Sequence, residues 1–303
     1  MDRNGLRIGI GQIECVRNDL GRNLKRIAEM VDRAEAEEVD LLVFPELALT
    51  GYLVDRRFSK AAVKRDGRQV DRLRQLSQRV DISVGLIEET DAALFYNSAV
   101  FLERGKIKHV HRKIYPPTYG MFDERRYFAA GWDVSAFDTA HGRMAMLICG
   151  DAWHIPLAYL AANDGADVLI VLAASSREGL TETTSCPDAW HAVCRSYALT
   201  LSCFVVFANL AGKAGDHHFW GGSFVAGPDG NLIAQSQTSE PDFLVADVDF
   251  RALREQRIKL PFLRDDSLVH TIQTAQRVLR AKTRRDRTAD IDGSQGPLAP
   301  KPR

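Results

Sequence analysis

The chain has 303 residues, 45% of them hydrophobic, enough to bury a substantial core in one or two domains. Its 40 basic side chains balance 40 acidic ones, which argues against a general nucleic-acid or membrane-surface role. Nor does any apolar run reach the roughly 18 residues that a membrane-spanning helix needs.

The first element, "LRIGIGQIE", reads as a strand and follows five polar or small residues with no apolar signal-peptide core. From Asp19 to Glu38 the residues Leu20, Leu24, Ile27, Val31 and Ala34 fall at helical spacing, with Asn18 or Asp19 as N-cap. "VDLLVFPE" is a strand that a proline stops, and a helix is expected around Val63–Val80. "ISVGLIEE" and "YNSAVFLE" are strands, as is "RMAMLICGD". A short helix at Pro156–Asn163 precedes "ADVLIVLAA", and a helix near Asp188–Leu201 leads into "CFVVFANLAG". The strands "GGSFVAGPDGNLIAQ" and "DFLVADVD" follow, the first with a hairpin turn at Pro228-Asp229-Gly230. Several strands are continuously apolar, as when both faces are covered, and others alternate. The pattern is one α/β domain, with a mixed sheet or two stacked sheets; periodicity leaves both open. A last amphipathic helix carries Leu268, Ile272, Ala275 and Leu279. The folded domain is expected to span 1–283, and 284–303, rich in charge, Pro and Gly, reads as a disordered tail.

Three segments end on reactive residue types. "LLVFPEL" delivers Glu46, "RMAMLICGD" delivers Cys149, and "KHVHRK" delivers Lys113 into the stretch "KIYPPTYGMFDERRYFAAG". Strand ends are where α/β folds place ligands and catalysts. A cysteine there is a candidate nucleophile if a nearby base makes thiolate on demand and a cation steadies the charge. Each residue also has a plain reading: Cys149 as a small core hydrophobe, Glu46 as a turn residue, Lys113 as a surface charge. The five cysteines, odd in number and without a CxxC, look like reduced thiols of a cytoplasmic protein. Cys15, Cys194 and Cys203 read as buried, whereas Cys186 in a polar loop reads as accessible. His217-His218 lacks a third ligand at metal spacing and reads as an exposed loop pair.

"LLVFPELALTGY", "HRKIYPPTYGMFDERRYFAAG" and "MLICGDAWH" occur in the order and separations of the carbon–nitrogen hydrolase (nitrilase) superfamily. "GADVLIVLAASS", "FVVFANLAG" and "FWGGSFVAGPDGNLIA" resemble its later strands, so the resemblance runs from Leu6 to about Asp249. It implies a four-layer αββα sandwich in a single domain. It also implies a Glu–Lys–Cys triad, with Glu46 as general base, Lys113 as oxyanion-stabilising cation, Cys149 as nucleophile, and Glu124 as a second glutamate at the same site. The prolines and Tyr119-Gly120 would stiffen the loop that presents Lys113 and return it so that Glu124 meets the site. Tyr127 and Phe128 read as packing residues, Asp123 and Arg125 as solvated or paired; Tyr119 reads equally well as packing or substrate contact.

The resemblance further implies an amidohydrolase that needs no metal or organic cofactor and works on a small-molecule amide as a homodimer or larger homo-oligomer. The helix after Asp151 and the helix bearing Trp190 and Tyr197 are the candidates for pairing. The motifs look closest to the amidase and NAD-synthetase-type glutaminase branches. A glutaminase subunit serving a separate synthetase is the alternative reading, and a catalytically silent scaffold the other. One departure stands out. Related glutaminases look to have an acid directly after the cysteine, where this chain has Gly150. The Gly150 N–H is still available to an oxyanion; what changes is the pocket wall. Trp153 and Ser175 are further candidates for that wall, with capping an equal role for Ser175 and Ser176. The nearby His154 is expected to be turned aside from Cys149.

Overall fold

A computed structural model of the chain describes residues 5–52, 57–118, 123–177, 185–214 and 217–292, with backbone only at 214 and 284–292. β1 (Gly5–Gln12) leads to α1 (Leu20–Ala36), whose N-cap Asp19 accepts the Arg22 N–H. β2 (Leu41–Val43) is followed by α2 (Arg68–Leu76), then β3 (Asp81–Glu89), β4 (Phe95–Glu103) and β5 (Lys106–Arg112). The helix expected from Val63 begins only at Arg68. Val63 instead bridges Glu88 in parallel, and Gly67 marks the helix start.

The second half holds β6 (Phe137–Thr139), β7 (Gly142–Ile148), α3 (Ile155–Asn163), β8 (Val168–Ala173), α4 (Cys186–Thr200) and β9 (Phe204–Asn209). The hairpin β10 (Ala211–Ala214) and β11 (His217–Trp220) comes next, then β12 (Phe224–Ala226), β13 (Leu232–Gln235) and β14 (Asp242–Asp249). His217 and His218, read from sequence as a loop pair, therefore lie in a strand, with His218 opposite Lys213. α5 (Phe250–Lys259), α6 (Phe262–Asp265) and α7 (Leu268–Asp292) close the described chain.

Apart from the two-stranded β10-β11 pair, the described strands form two six-stranded sheets, ordered β14-β1-β2-β3-β4-β5 and β13-β12-β9-β8-β7-β6. In each, the central strands run parallel and the outer ones antiparallel. The choice left open by periodicity is thus settled as two sheets, packed face to face. Leu6, Ile8 and Ile10 of β1 and Phe101 of β4 meet Met144, Met146 and Ile148 of β7 in one core. On the outer side of the first sheet, Ile27 and Val31 of α1 and Val70 and Leu73 of α2 pack on Leu42, Ile82 and Val84. α3 and α4 cover the second sheet with Leu157, Ala161, Trp190 and Cys194. The layers are αββα, as the sequence resemblance implies. Burying such continuously apolar strands on both faces supplies the main driving force, at about 25 cal/mol per Å² of apolar surface.

Trp190 and Tyr197 face this core and are buried, so they do not form an outward pairing surface. The body ends as one unit at Leu263. In the following unit, α7 continues as helix through 284–292, residues that the sequence places in a disordered tail. Nothing in that stretch breaks a helix, since the next proline is Pro297.

Candidate active site

Glu46 follows β2 on a turn that lies against β3. Gly85 makes this approach possible: a Cβ there would sit 2.3 Å from Leu47 N and 2.7 Å from Pro45 O. Leu47 takes φ +50°, a costly conformation for a non-glycine residue that marks a tightly held turn. Cys149 starts a 3-10 turn straight after β7 and has φ +41°. Two strained residues thus flank or form the reactive positions.

Lys113 leaves β5 with its N–H bonded to Asn97 O at 2.8 Å, and its carbonyl receives the Gly131 N–H at 2.7 Å. The loop between them is closed at its neck. Any Cβ on Gly131 would lie 2.0 Å from Arg112 O, so glycine is required there. Inside the loop the Glu124 N–H bonds Pro117 O at 3.0 Å, which begins the 3-10 turn Glu124–Arg126 and turns Glu124 inward. Phe58 anchors the far side edge-on to Phe95, Tyr127 and Phe128. Tyr127 and Phe128 are packing residues, as expected, and Asp123 pairs with Arg126 at the surface. Tyr119 lies outside the described residues.

The four charged or nucleophilic side chains converge. Lys113 Nζ donates to Glu46 Oε1 at 2.7 Å and to Glu124 Oε1 at 2.9 Å. All three are buried, so Lys113 is no ordinary surface charge. Asn97, which the sequence reading did not single out, donates from Nδ2 to Glu46 Oε1 at 2.7 Å and to Glu124 Oε2 at 3.4 Å. Tyr52, also unmarked, donates its hydroxyl to Glu124 Oε1 at 3.0 Å. The second Glu46 oxygen, Oε2, is buried with no hydrogen-bond partner among the described residues.

Burial raises the Glu46 carboxyl to about 6; the Lys113 cation pulls it down and Glu124 pushes it back up. Burial alone would lower Lys113, but the two carboxylates outweigh it and hold the ammonium well above its ordinary value. The Cys149 thiol is pushed well up, first by burial and then by the Glu46 charge, against the pull of Lys113 and an Ala174 N–H. The resting site therefore holds a neutral thiol beside a base with an open oxygen and a permanent cation. That set can move a proton off sulfur as it attacks and steady a new oxyanion.

Gly150 lies against the Lys113 loop, and a Cβ there would meet Tyr115 O at 2.8 Å. Trp153 is half-buried and packs edge-on to Trp190, ring centroids 4.8 Å apart. Trp190 Nε1 in turn donates to Ser175 Oγ at 2.9 Å, and the Ser175 N–H bonds Asn209 Oδ1 at 2.8 Å. Ser175 is thus tied to the core through Trp190 and Asn209 rather than capping a helix. His154 is exposed and stacks on Tyr115 at 3.6 Å between centroids. Cys186, expected to be accessible, is 4% exposed because it begins α4 with its side chain against the core. Cys15 and Cys203 are buried thiols pushed up to about 12, and Cys194 is raised further still, each by burial.

Among the described residues no three His, Cys, Asp or Glu side chains gather at metal-binding spacing, and no helix is long and apolar enough to cross a membrane.

Comparison with known proteins places the chain in a family. The chain is 29% identical over 254 residues to a glutamine-dependent NAD(+) synthetase of Thermotoga maritima, covering 80% of this chain and 42% of that protein. The chain spans less than half the length of the synthetases it matches. It is 28% identical over 262 residues to the human omega-amidase NIT2, covering 84% of this chain and 91% of that one. The structure of a carbon-nitrogen hydrolase from Helicobacter pylori superposes with a TM-score of 0.77 at 25% identity, over 89% of this chain and 98% of that one. The carbon-nitrogen hydrolase family model matches residues 7–258, so the chain belongs to the carbon-nitrogen hydrolase family.

Proposed function

We propose that the protein is an amidase-type hydrolase that cleaves a small-molecule amide through a thioester on Cys149. The observation that carries this reading is the buried Lys113 ammonium, held by Glu46 and Glu124 and acting on the Cys149 thiol. Glu46 accepts the thiol proton on its unpaired Oε2 as sulfur bonds to the amide carbon. Lys113 and the Gly150 N–H hold the oxyanion, each such donor being worth roughly 10²–10³ in rate. Glu46 returns the proton to nitrogen as the C–N bond breaks, and ammonia or an amine leaves. Glu46 then takes a proton from water, which attacks the thioester. The acid departs and the proton returns to sulfur. Glu124 keeps Lys113 charged and fixed, with Tyr52 and Asn97 holding Glu124 in turn. A preorganised site of this kind saves the cost of ordering it during reaction.

A second reading follows from the likeness to glutamine-dependent NAD(+) synthetases: the protein is a glutaminase that hands ammonia to a separate enzyme. Ammonia release from a panel of ω-amides, glutamine, nitriles and N-carbamoyl amino acids separates the readings. Amidase function predicts fastest turnover on a non-glutamine amide without any partner. Fastest release from glutamine favours the second reading, and no release from any amide contradicts both.

A further inference from the structure

Asp151 stands two positions after Cys149, is fully buried, and is not part of the triad. Its Oδ1 accepts the N–H groups of Ile114 at 3.0 Å and Tyr115 at 2.9 Å. Its Oδ2 meets His111 Nε2 at 2.8 Å and the Ile148 N–H at 3.3 Å. A carboxylate has nothing to donate, so His111, itself buried, gives its Nε2–H. These donors lie on both sides of the site. Ile114 and Tyr115 come directly after Lys113, and Ile148 comes directly before Cys149.

We propose that Asp151 is a positioning residue: one carboxylate joins the Lys113 loop to the Cys149 turn and sets the spacing at which the cation meets the oxyanion. His111 fixes the orientation of that carboxylate from β5. The joint holds a strained position. Cys149 holds φ +41°, and the bond to the Ile148 N–H pins the residue that enters it. On the other side, two successive N–H groups fix the backbone from which Lys113 extends. Four donors converging on one buried carboxylate make a rigid joint, and charge-assisted bonds are the strong kind. An error of about 1 Å in such a placement can cost on the order of 10²-fold in rate. The inference builds on the triad reading, since it assigns Asp151 to the placement of two triad members.

The experiment uses Asp151→Asn, His111→Leu and His111→Gln, with kcat expressed per alkylatable Cys149 and Tm measured alongside. Asparagine offers one acceptor oxygen and one NH2 group that can only donate. Whichever way it turns, one side of the joint faces N–H against N–H. D151N is expected to lower kcat at least about tenfold with KM changed less than about threefold. H111L is expected to act in the same direction. In H111Q the side-chain amide replaces the Nε2–H donor, recovers most of the loss and leaves the acid limb of the pH profile in place. That last result excludes proton transfer by His111. The proposal is overturned if D151N keeps kcat within threefold, if the kcat loss vanishes on correction for unfolded protein, or if H111Q is as slow as H111L. Failure of the triad reading looks different: the wild type would then keep its activity with Cys149 alkylated, whatever D151N does.

Discussion

The ammonium of Lys113 lies 2.7 Å from the carboxylate of Glu46, and neither side chain has any exposed surface. Glu124 is a second buried carboxylate on the same ammonium. Two acids share one cation, so the cluster cannot be neutral with both acids ionised. Burial is the main reason the Glu46 carboxyl is raised to about 6; the Lys113 cation pulls it down, and the Glu124 charge offsets part of that pull.

A pH dependence follows. Glu46 works as a base only when ionised, so kcat/KM should rise about tenfold per pH unit and level off above about 6. Lys113, held well above its ordinary value, stays charged throughout that range. A plateau reaching down to the ordinary carboxylate range, or a rise that follows thiol ionisation in alkali, would contradict the assignment.

The pair also predicts opposite stability effects. A carboxyl raised in the folded state contributes stability below its unfolded value of 4.5, and that stability is lost as pH rises through about 6. At neutral pH an ionised Glu46 therefore costs about 2 kcal/mol. Glu46→Gln should lower kcat by at least about 10² while leaving Tm at or above the wild-type value. Lys113→Ala leaves two buried carboxylates without their cation and should lower stability by about 3–5 kcal/mol as well as removing activity. Calorimetry at pH 7 and pH 5 tests both; an E46Q protein markedly less stable than wild type at pH 7 would be the wrong sign.

Gly150 gives a steric prediction. A methyl group there would press on the Tyr115 carbonyl, and the Tyr115 N–H is itself held by Asp151. With the Tyr115 peptide tethered at its N–H, the carbonyl cannot turn aside alone, so Gly150→Ala should displace the Lys113 loop as a whole and lower kcat about tenfold or more. Gly150→Glu should do the same rather than install a new specificity. Wild-type kcat in G150A would show that the loop has slack.

Much of this site was legible in the sequence, and the reasons differ residue by residue. Glu46, Lys113, Cys149 and Glu124 stand at strand ends or turns in segments whose residue order is itself a signal. Asn97 and Tyr52 carried none. Asn97 reaches Glu46 across 51 positions and Tyr52 reaches Glu124 across 72, and each is an ordinary residue in its own segment. Only the folding of the turn after β2 and the Lys113 loop onto β4 brings them together. Asp151 was hidden in the same way, its partners Ile114 and Tyr115 being 37 and 36 positions away. Cys186 misled because "TSCPD" is polar, yet Ser185 caps α4 and turns the thiol under the helix. The expected start of α2 failed because an apolar Val63 fits a bridge on β3 as well as it fits a helix.

Self-association is expected through α3 and α4, but by residues other than Trp190 and Tyr197. Ile155 and Leu160 of α3 and Leu199 of α4 are exposed apolar side chains on the helices that cover the second sheet. Light scattering at micromolar concentration should give a dimer or larger assembly, and Ile155→Asp with Leu160→Asp should shift it toward monomer. A monomeric wild type would refute the expectation.

The central claim is that Cys149, 8% exposed and neutral at rest, becomes the acylated nucleophile. The direct measurement is acid quenching of the enzyme during turnover of its best amide, followed by peptide mass spectrometry. The account predicts a Cys149 peptide heavier by the acid product minus water, chased away as substrate is exhausted, and no such mass on Cys15, Cys186, Cys194 or Cys203. An acyl adduct on a different residue, or undiminished turnover by protein whose Cys149 is fully alkylated, would contradict it.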